Sequence, residues 1–99
     1  MTGGMTGRMT EPREIRLRRL KMRAWRRGMK ETDLILGGFA DAHLASMPDS
    51  GLEAFEALLA ENDQEILAWV TGAETPPEDH AALVAGLRSY FGSGPVRTT

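Results

Sequence analysis

Residues Arg26-Arg27-Gly28-Met29-Lys30-Glu31-Thr32-Asp33 set guanidinium groups, a glycine and carboxylates close together along the chain. Arginine grips a carboxylate or phosphate through two parallel hydrogen bonds, and a glutamate accepts donors from a partner. A glycine that ends one helix, followed by acids in the first turn of the next, brings Arg26, Arg27, Glu31 and Asp33 to a single corner of the fold. The same residues have a plainer use. Gly28 can be an ordinary helix C-cap, with Glu31 and Asp33 complementing the positive N-terminus of the next helix. The residues alone favour that plainer use.

A second candidate is the row Arg13, Arg16, Arg18, Arg19, Lys21, Arg23, Arg26 and Arg27, crowded into about four helical turns. Such a row can contact several phosphates with strongly salt-dependent affinity, so a small helical nucleic-acid-binding protein is the alternative reading. Against it stands the charge distribution. Residues 1–30 hold ten basic and two acidic side chains, whereas residues 31–99 hold two basic and twelve acidic, and the acidic part would repel a polyanion. Pairing of the arginines with the protein's own acidic helices is an equally good use of them. No nucleic acid is expected as a partner. The sign of the charge changes between Lys30 and Glu31, inside the run with which we began.

Catalytic patterns are missing. His43 and His80 fall on different expected helices without metal-ligand spacing, and both read as solvated. There is no His-Glu-x-x-His, no phosphate-cradling glycine loop and no nucleophile elbow. No catalytic, cofactor-binding or metal-ligating residue is assigned, and the protein is not expected to be an enzyme. With no cysteine there is no disulfide framework, and a cytoplasmic location follows as the default. The longest apolar run, Leu34-Ile35-Leu36, is too short to cross a bilayer. A mitochondrial-type leader is set aside, because residues 1–10 hold only Arg8 as a cation and show no amphipathic face.

The elements that position these residues read as helices throughout, with no alternating β-branched stretch. Residues 1–10 are expected to be a disordered tail, 11–91 a single helical domain, and 92–99 a frayed end. The first helix starts near Glu11 with Pro12 in its first turn, carries Ile15, Leu17, Leu20, Met22, Ala24 and Trp25, and ends at Gly28. The second begins near Lys30. The pair Gly37-Gly38 either packs closely against a neighbour or breaks this helix, since each glycine costs about 1 kcal/mol relative to alanine. Ser50 with Glu53 forms a capping box for the third helix, and Asp63 caps the fourth, which Gly72 closes. Thr75-Pro76-Pro77-Glu78 starts the fifth. Five short helices give a compact all-α bundle, its core centred on residues 52–70.

The run Arg27-Gly28-Met29-Lys30-Glu31 also resembles the RGxxE motif of the SdhE-type succinate dehydrogenase assembly factors, also called FAD assembly factors or flavinators. Around it stand Arg26, Asp33 and Phe39, then Phe55-x-x-Leu58-Leu59-x-x-x-Asp63-x-x-Ile66-x-x-Trp69, so the resemblance covers roughly residues 15–91. It implies a five-helix chaperone that binds the flavoprotein subunit of succinate dehydrogenase, or that of fumarate reductase, and promotes covalent attachment of FAD to its histidine. Arg27, Gly28 and Glu31 would face the client; Arg26 and Asp33 join them by adjacency, while Trp69 looks like core. FAD belongs to the client and is not bound stably by the factor, which is expected to be monomeric when free and not inserted in a membrane. Gly37-Gly38 and the Met-Thr-Gly repeat within residues 1–10 match no family feature.

Overall fold

Helices of 9 to 15 residues are marginal in water on their own, so tertiary burial must hold these together. In the computed structural model, residues 11–92 are described. They form α1 (Arg13–Trp25), α2 (Lys30–His43), a 3-10 turn (Leu44–Ser46), α3 (Asp49–Leu59), α4 (Asp63–Thr71) and α5 (Glu78–Gly92), with no strand among the described residues. This is the expected all-α five-helix bundle. The tail expected at 1–10 and, beyond Gly92, the rest of the frayed end expected at 92–99 lie outside the described residues; Gly92 itself is the last residue of α5.

α1 packs mainly on α2, and α5 lies against α2, α3 and α4. The core draws on every helix: Leu20 and Ala24, Ile35, Leu36 and Phe39, Leu52, Phe55 and Leu58, Ile66 and Trp69, Val84 and Leu87. It is therefore wider than residues 52–70. Phe55 is fully buried and stacks on Phe39 at 6.2 Å between ring centroids. Each such side chain contributes about 1.5–3 kcal/mol on burial, which offsets the weakness of the isolated helices.

Several helix ends differ from expectation, each for a local reason. Pro12 is the N-cap of α1, outside its first turn, and its carbonyl accepts the amides of Ile15 and Arg16 at 3.1 and 3.0 Å. α1 ends at Trp25 with Arg26 as C-cap, so Gly28 turns the connector instead of capping the helix. Pro48 is the N-cap of α3 and makes no side-chain cap; Ser50 already lies inside the helix, and the capping box with Glu53 does not form. Asn62 caps α4, its side chain accepting the amide of Glu65 at 2.9 Å, one residue before the expected Asp63. Pro76 and Pro77 precede the first turn of α5. Gly72 closes α4 in the left-handed conformation, as read, with φ 89°.

Gly37-Gly38 does not break α2. A Cβ placed on Gly37 would come 2.3 Å from Cδ2 of Trp25, so the indole lies flat on the backbone of α2 where any side chain would stand. Trp25 Nε1–H then donates to Asp41 at 3.2 Å. Gly37→Ala is expected to push the indole off this seat. Overpacking of this kind costs about 1–3 kcal/mol, against the roughly 1 kcal/mol of helix propensity that alanine returns. We expect a lowered urea midpoint together with a changed Trp25 fluorescence.

Candidate functional site

The connector between α1 and α2 and the first turn of α2 carry the Arg26-to-Asp33 run, and the structure divides its residues into two groups. Arg26, Gly28, Lys30 and Glu31 are exposed; Arg27 turns inward. Gly28 adopts φ 101°, in the region that glycine occupies without steric cost, and a Cβ there would meet no atom within 4 Å. The corner is thus open to solvent at Gly28, with Arg26 before it and Glu31 in the first turn of α2.

Arg27 is the anchor of this corner. Its side chain is only 10% exposed, and Nε donates to Oδ1 of Asp63 at 2.5 Å. The other two nitrogens donate to the carbonyls of Leu59 and Glu61, both at 2.6 Å. Leu59 is the last residue of α3, where carbonyls lack helical partners and the helix end favours a cation; Asp63 stands in the first turn of α4, where a carboxylate is favoured. One guanidinium therefore ties the α1–α2 connector to the α3–α4 connector. Asp33 tightens the same corner by accepting the backbone N–H of Arg27 at 2.8 Å. Thr32 is fully buried and donates its hydroxyl to the carbonyl of Met29 at 3.2 Å.

A second layer supports the anchor. The carboxylate of Glu61 accepts from Nε2 of His80 at 2.8 Å, and the imidazole lies 5.6 Å from the ring of Trp69. His80 is buried, not solvated as read, because α5 carries it onto α4 beside the α3–α4 connector. His43 is exposed. Asp63, Glu61 and His80 were not singled out as site residues. For Asp63 a signal existed: an acid at a helix start facing an arginine that follows a helix end.

Much of the arginine row is spent inside the molecule. Arg19 donates to both carboxylate oxygens of Glu11 at 3.0 Å and to Glu56 at 2.9 Å, while Arg16 and Arg23 lie 3.6 and 3.9 Å from Glu56. Arg13 pairs with Asp49 at 2.8 Å and donates to the carbonyl of Met47. These pairs remove charge that the nucleic-acid reading needs. The hydrogen bond from Arg19, ahead of the charges of Arg16 and Arg23, holds the Glu56 carboxyl below its ordinary range. A carboxyl lowered in the folded state stabilises above its unfolded value of about 4.3, and that contribution is lost as pH falls through the lowered one. Glu56→Gln should therefore cost up to about 1 kcal/mol at pH 7. In urea unfolding curves the gap between wild type and variant should close towards pH 3.

Among the described residues no group of three or more His, Cys, Asp or Glu could hold a metal, and no helix is long and apolar enough to cross a membrane.

Known proteins similar to this chain bear on the corner. The family described as flavinator of succinate dehydrogenase, Sdh5, matches residues 18–91. Mitochondrial succinate dehydrogenase assembly factor 2 of Mycosarcoma maydis is 41% identical over 71 residues, covering 72% of this chain and 30% of the relative. The protein of the same name from Schizosaccharomyces pombe is 41% identical over 71 residues, covering 72% of this chain and 51% of the relative. That from Schizosaccharomyces japonicus is 35% identical over 88 residues, 87% of this chain and 62% of the relative. The chain thus spans less than two thirds of the length of each of these. Their names correct the cytoplasmic expectation, because all are called mitochondrial. A lack of cysteine excludes a disulfide framework but does not separate compartments that keep thiols reduced. With the family match running from α1 to α5 and enclosing the whole Arg27 anchor, the chain belongs to the Sdh5 family, the flavinators of succinate dehydrogenase.

Proposed function

We propose that this protein binds the flavoprotein subunit of succinate dehydrogenase, or that of fumarate reductase, and promotes covalent attachment of FAD to a histidine of that subunit. The supporting observation is the corner itself: Arg26 and Gly28 on the connector and Glu31 in the first turn of α2 are all exposed, where Arg27 and Asp33 hold the backbone from within. A pre-set surface loses little entropy on docking. Arg26 and Glu31 offer a donor and an acceptor, and Gly28 leaves room for close approach. Arg27 and Asp33 act through the connector as positioning residues.

Attachment of FAD to histidine replaces a C–H bond of a flavin methyl group and the N–H bond of the imidazole by a C–N bond; the displaced hydrogens leave the flavin two electrons reduced, and an external electron acceptor such as dioxygen reoxidises it. Up to bond formation it needs an electrophilic flavin methyl carbon, a neutral imidazole and stabilisation of negative charge on the isoalloxazine. Client and cofactor supply all of these when held correctly. The factor's part is to bind the attachment-competent conformation of the client more tightly than others, a shift of population and not catalysis by its own residues. FAD stays with the client and is not held stably by this chain.

The test mixes the full-length protein with the apo flavoprotein subunit and FAD and reads covalent flavin by fluorescence in a denaturing gel. Wild type should raise the yield, and Glu31→Ala should lower it about tenfold while circular dichroism stays native. Covalent flavin on a short histidine peptide mixed with FAD and this protein, without the flavoprotein subunit, would refute the non-catalytic role.

A further inference from the structure

One face of α1 is left over once the core and the corner are accounted for. Ile15 and Met22 are 47% and 46% exposed, two turns apart on the same side of the helix and about 10 Å apart along its axis. They form the floor of a shallow open concavity edged by Arg18, Arg19, Arg23 and Arg26. Arg19 and Arg23 reach back to Glu56, whereas Arg18 and Arg26 are exposed and take no part in those ion pairs. Arg26 also belongs to the docking corner, so face and corner are continuous.

We propose that this face receives an acidic, amphipathic segment of the client flavoprotein, one that sets apolar side chains on Ile15 and Met22 and carboxylates against Arg18 and Arg26. The proposal rests on the client reading above and extends its contact surface along α1. Charge complementarity selects the occupant. A second copy of the same face would bring arginine against arginine. Residues 1–10 of this chain carry Arg8 and no carboxylate, so they cannot neutralise the row. A phosphate backbone would use the arginines but not the apolar floor. A lipid surface takes up a broad apolar face, and the broad apolar face of α1, with Leu20 and Ala24, is already buried in the core. Two half-exposed apolar side chains two turns apart, rimmed by cations, fit the anchor spacing of a helical or extended protein segment.

Binding of the full-length protein to the apo flavoprotein subunit, measured by biolayer interferometry, tests this with two surface variants. The double variant Ile15→Glu with Met22→Glu reverses the character of the floor, and Arg18→Glu reverses the rim away from the corner. Both should keep native circular dichroism and weaken binding about tenfold, and added salt should weaken the wild-type complex more than the Arg18→Glu complex. Wild-type affinity in both variants, with Glu31→Ala still defective, would overturn this inference and leave the client reading intact. Failure of the wild-type protein itself to bind the flavoprotein would remove the client reading and the inference with it. Wild-type retention on phosphatidylglycerol vesicles, lost in the variants while flavoprotein binding stays unchanged, would overturn it in favour of a lipid surface.

Discussion

Arg27→Ala should lower the folding stability of the whole domain by about 3 kcal/mol, a loss measured by urea denaturation. The size follows from what the side chain touches. Its removal strands the Asp63 carboxylate, which is 18% exposed, and leaves the Leu59 and Glu61 carbonyls without the donors that now reach them at 2.6 Å. Such groups recover only part of the lost hydrogen bonding from water. For a domain of this length each kcal/mol moves the thermal midpoint by about 4–8 °C, so a fall of about 12–24 °C is expected. Arg27→Lys should recover only a fraction, because a compact ammonium cannot span three acceptors that the three nitrogens of one planar guanidinium now reach separately. In a double-mutant cycle with Asp63→Asn, a coupling above about 1 kcal/mol identifies the pair as a unit; additivity would show the contact to be incidental. Flavin attachment should fall as well, since the connector that carries Gly28 and leads into Glu31 loses its tie to the α3–α4 connector.

An arginine next to a glycine turn reads as a surface residue in one dimension, and that is where the sequence misleads. The direction of Arg27 is set by Leu59, Glu61 and Asp63, between 32 and 36 residues away, and no local pattern encodes that approach. His80 reads as solvated in one dimension for the same reason: its partner Glu61 lies across a connector and a helix. Local grammar was legible where it decides the outcome by itself. Gly72 caps α4, α2 begins at Lys30, and the apolar stripes of all the helices meet in the core. Cap residues stand one or two positions before the expected ones. Asn62 took the cap of α4 and left Asp63 for Arg27, and Pro48 displaced Ser50. The sequence leaves Gly37 between close packing and a helix break, because a close approach between helices depends on both surfaces and a sequence displays them separately; Trp25 lying on it decides for close packing.

Gly28 should respond in the opposite way to its neighbour, and the contrast separates the two uses of the motif. With φ 101° any L side chain at this position is strained, at a cost of about 1–2 kcal/mol, but the added atoms meet nothing within 4 Å. Gly28→Ala and Gly28→Glu should therefore lose about the same modest stability and both remain folded. Their binding should diverge. Alanine adds one carbon at the open corner and should leave most of the affinity for the flavoprotein. Glutamate projects a flexible anion between Arg26 and Glu31, where it competes for the arginine, repels the existing carboxylate and holds a partner off. Loss of binding of about a hundredfold or more is expected for Gly28→Glu, with matching loss of covalent flavin in the client. If both variants bound like wild type, the exposed corner would not be the docking surface. If both lost binding equally, backbone geometry would be the cause, and Gly28 would belong with Arg27 among the residues that shape the connector.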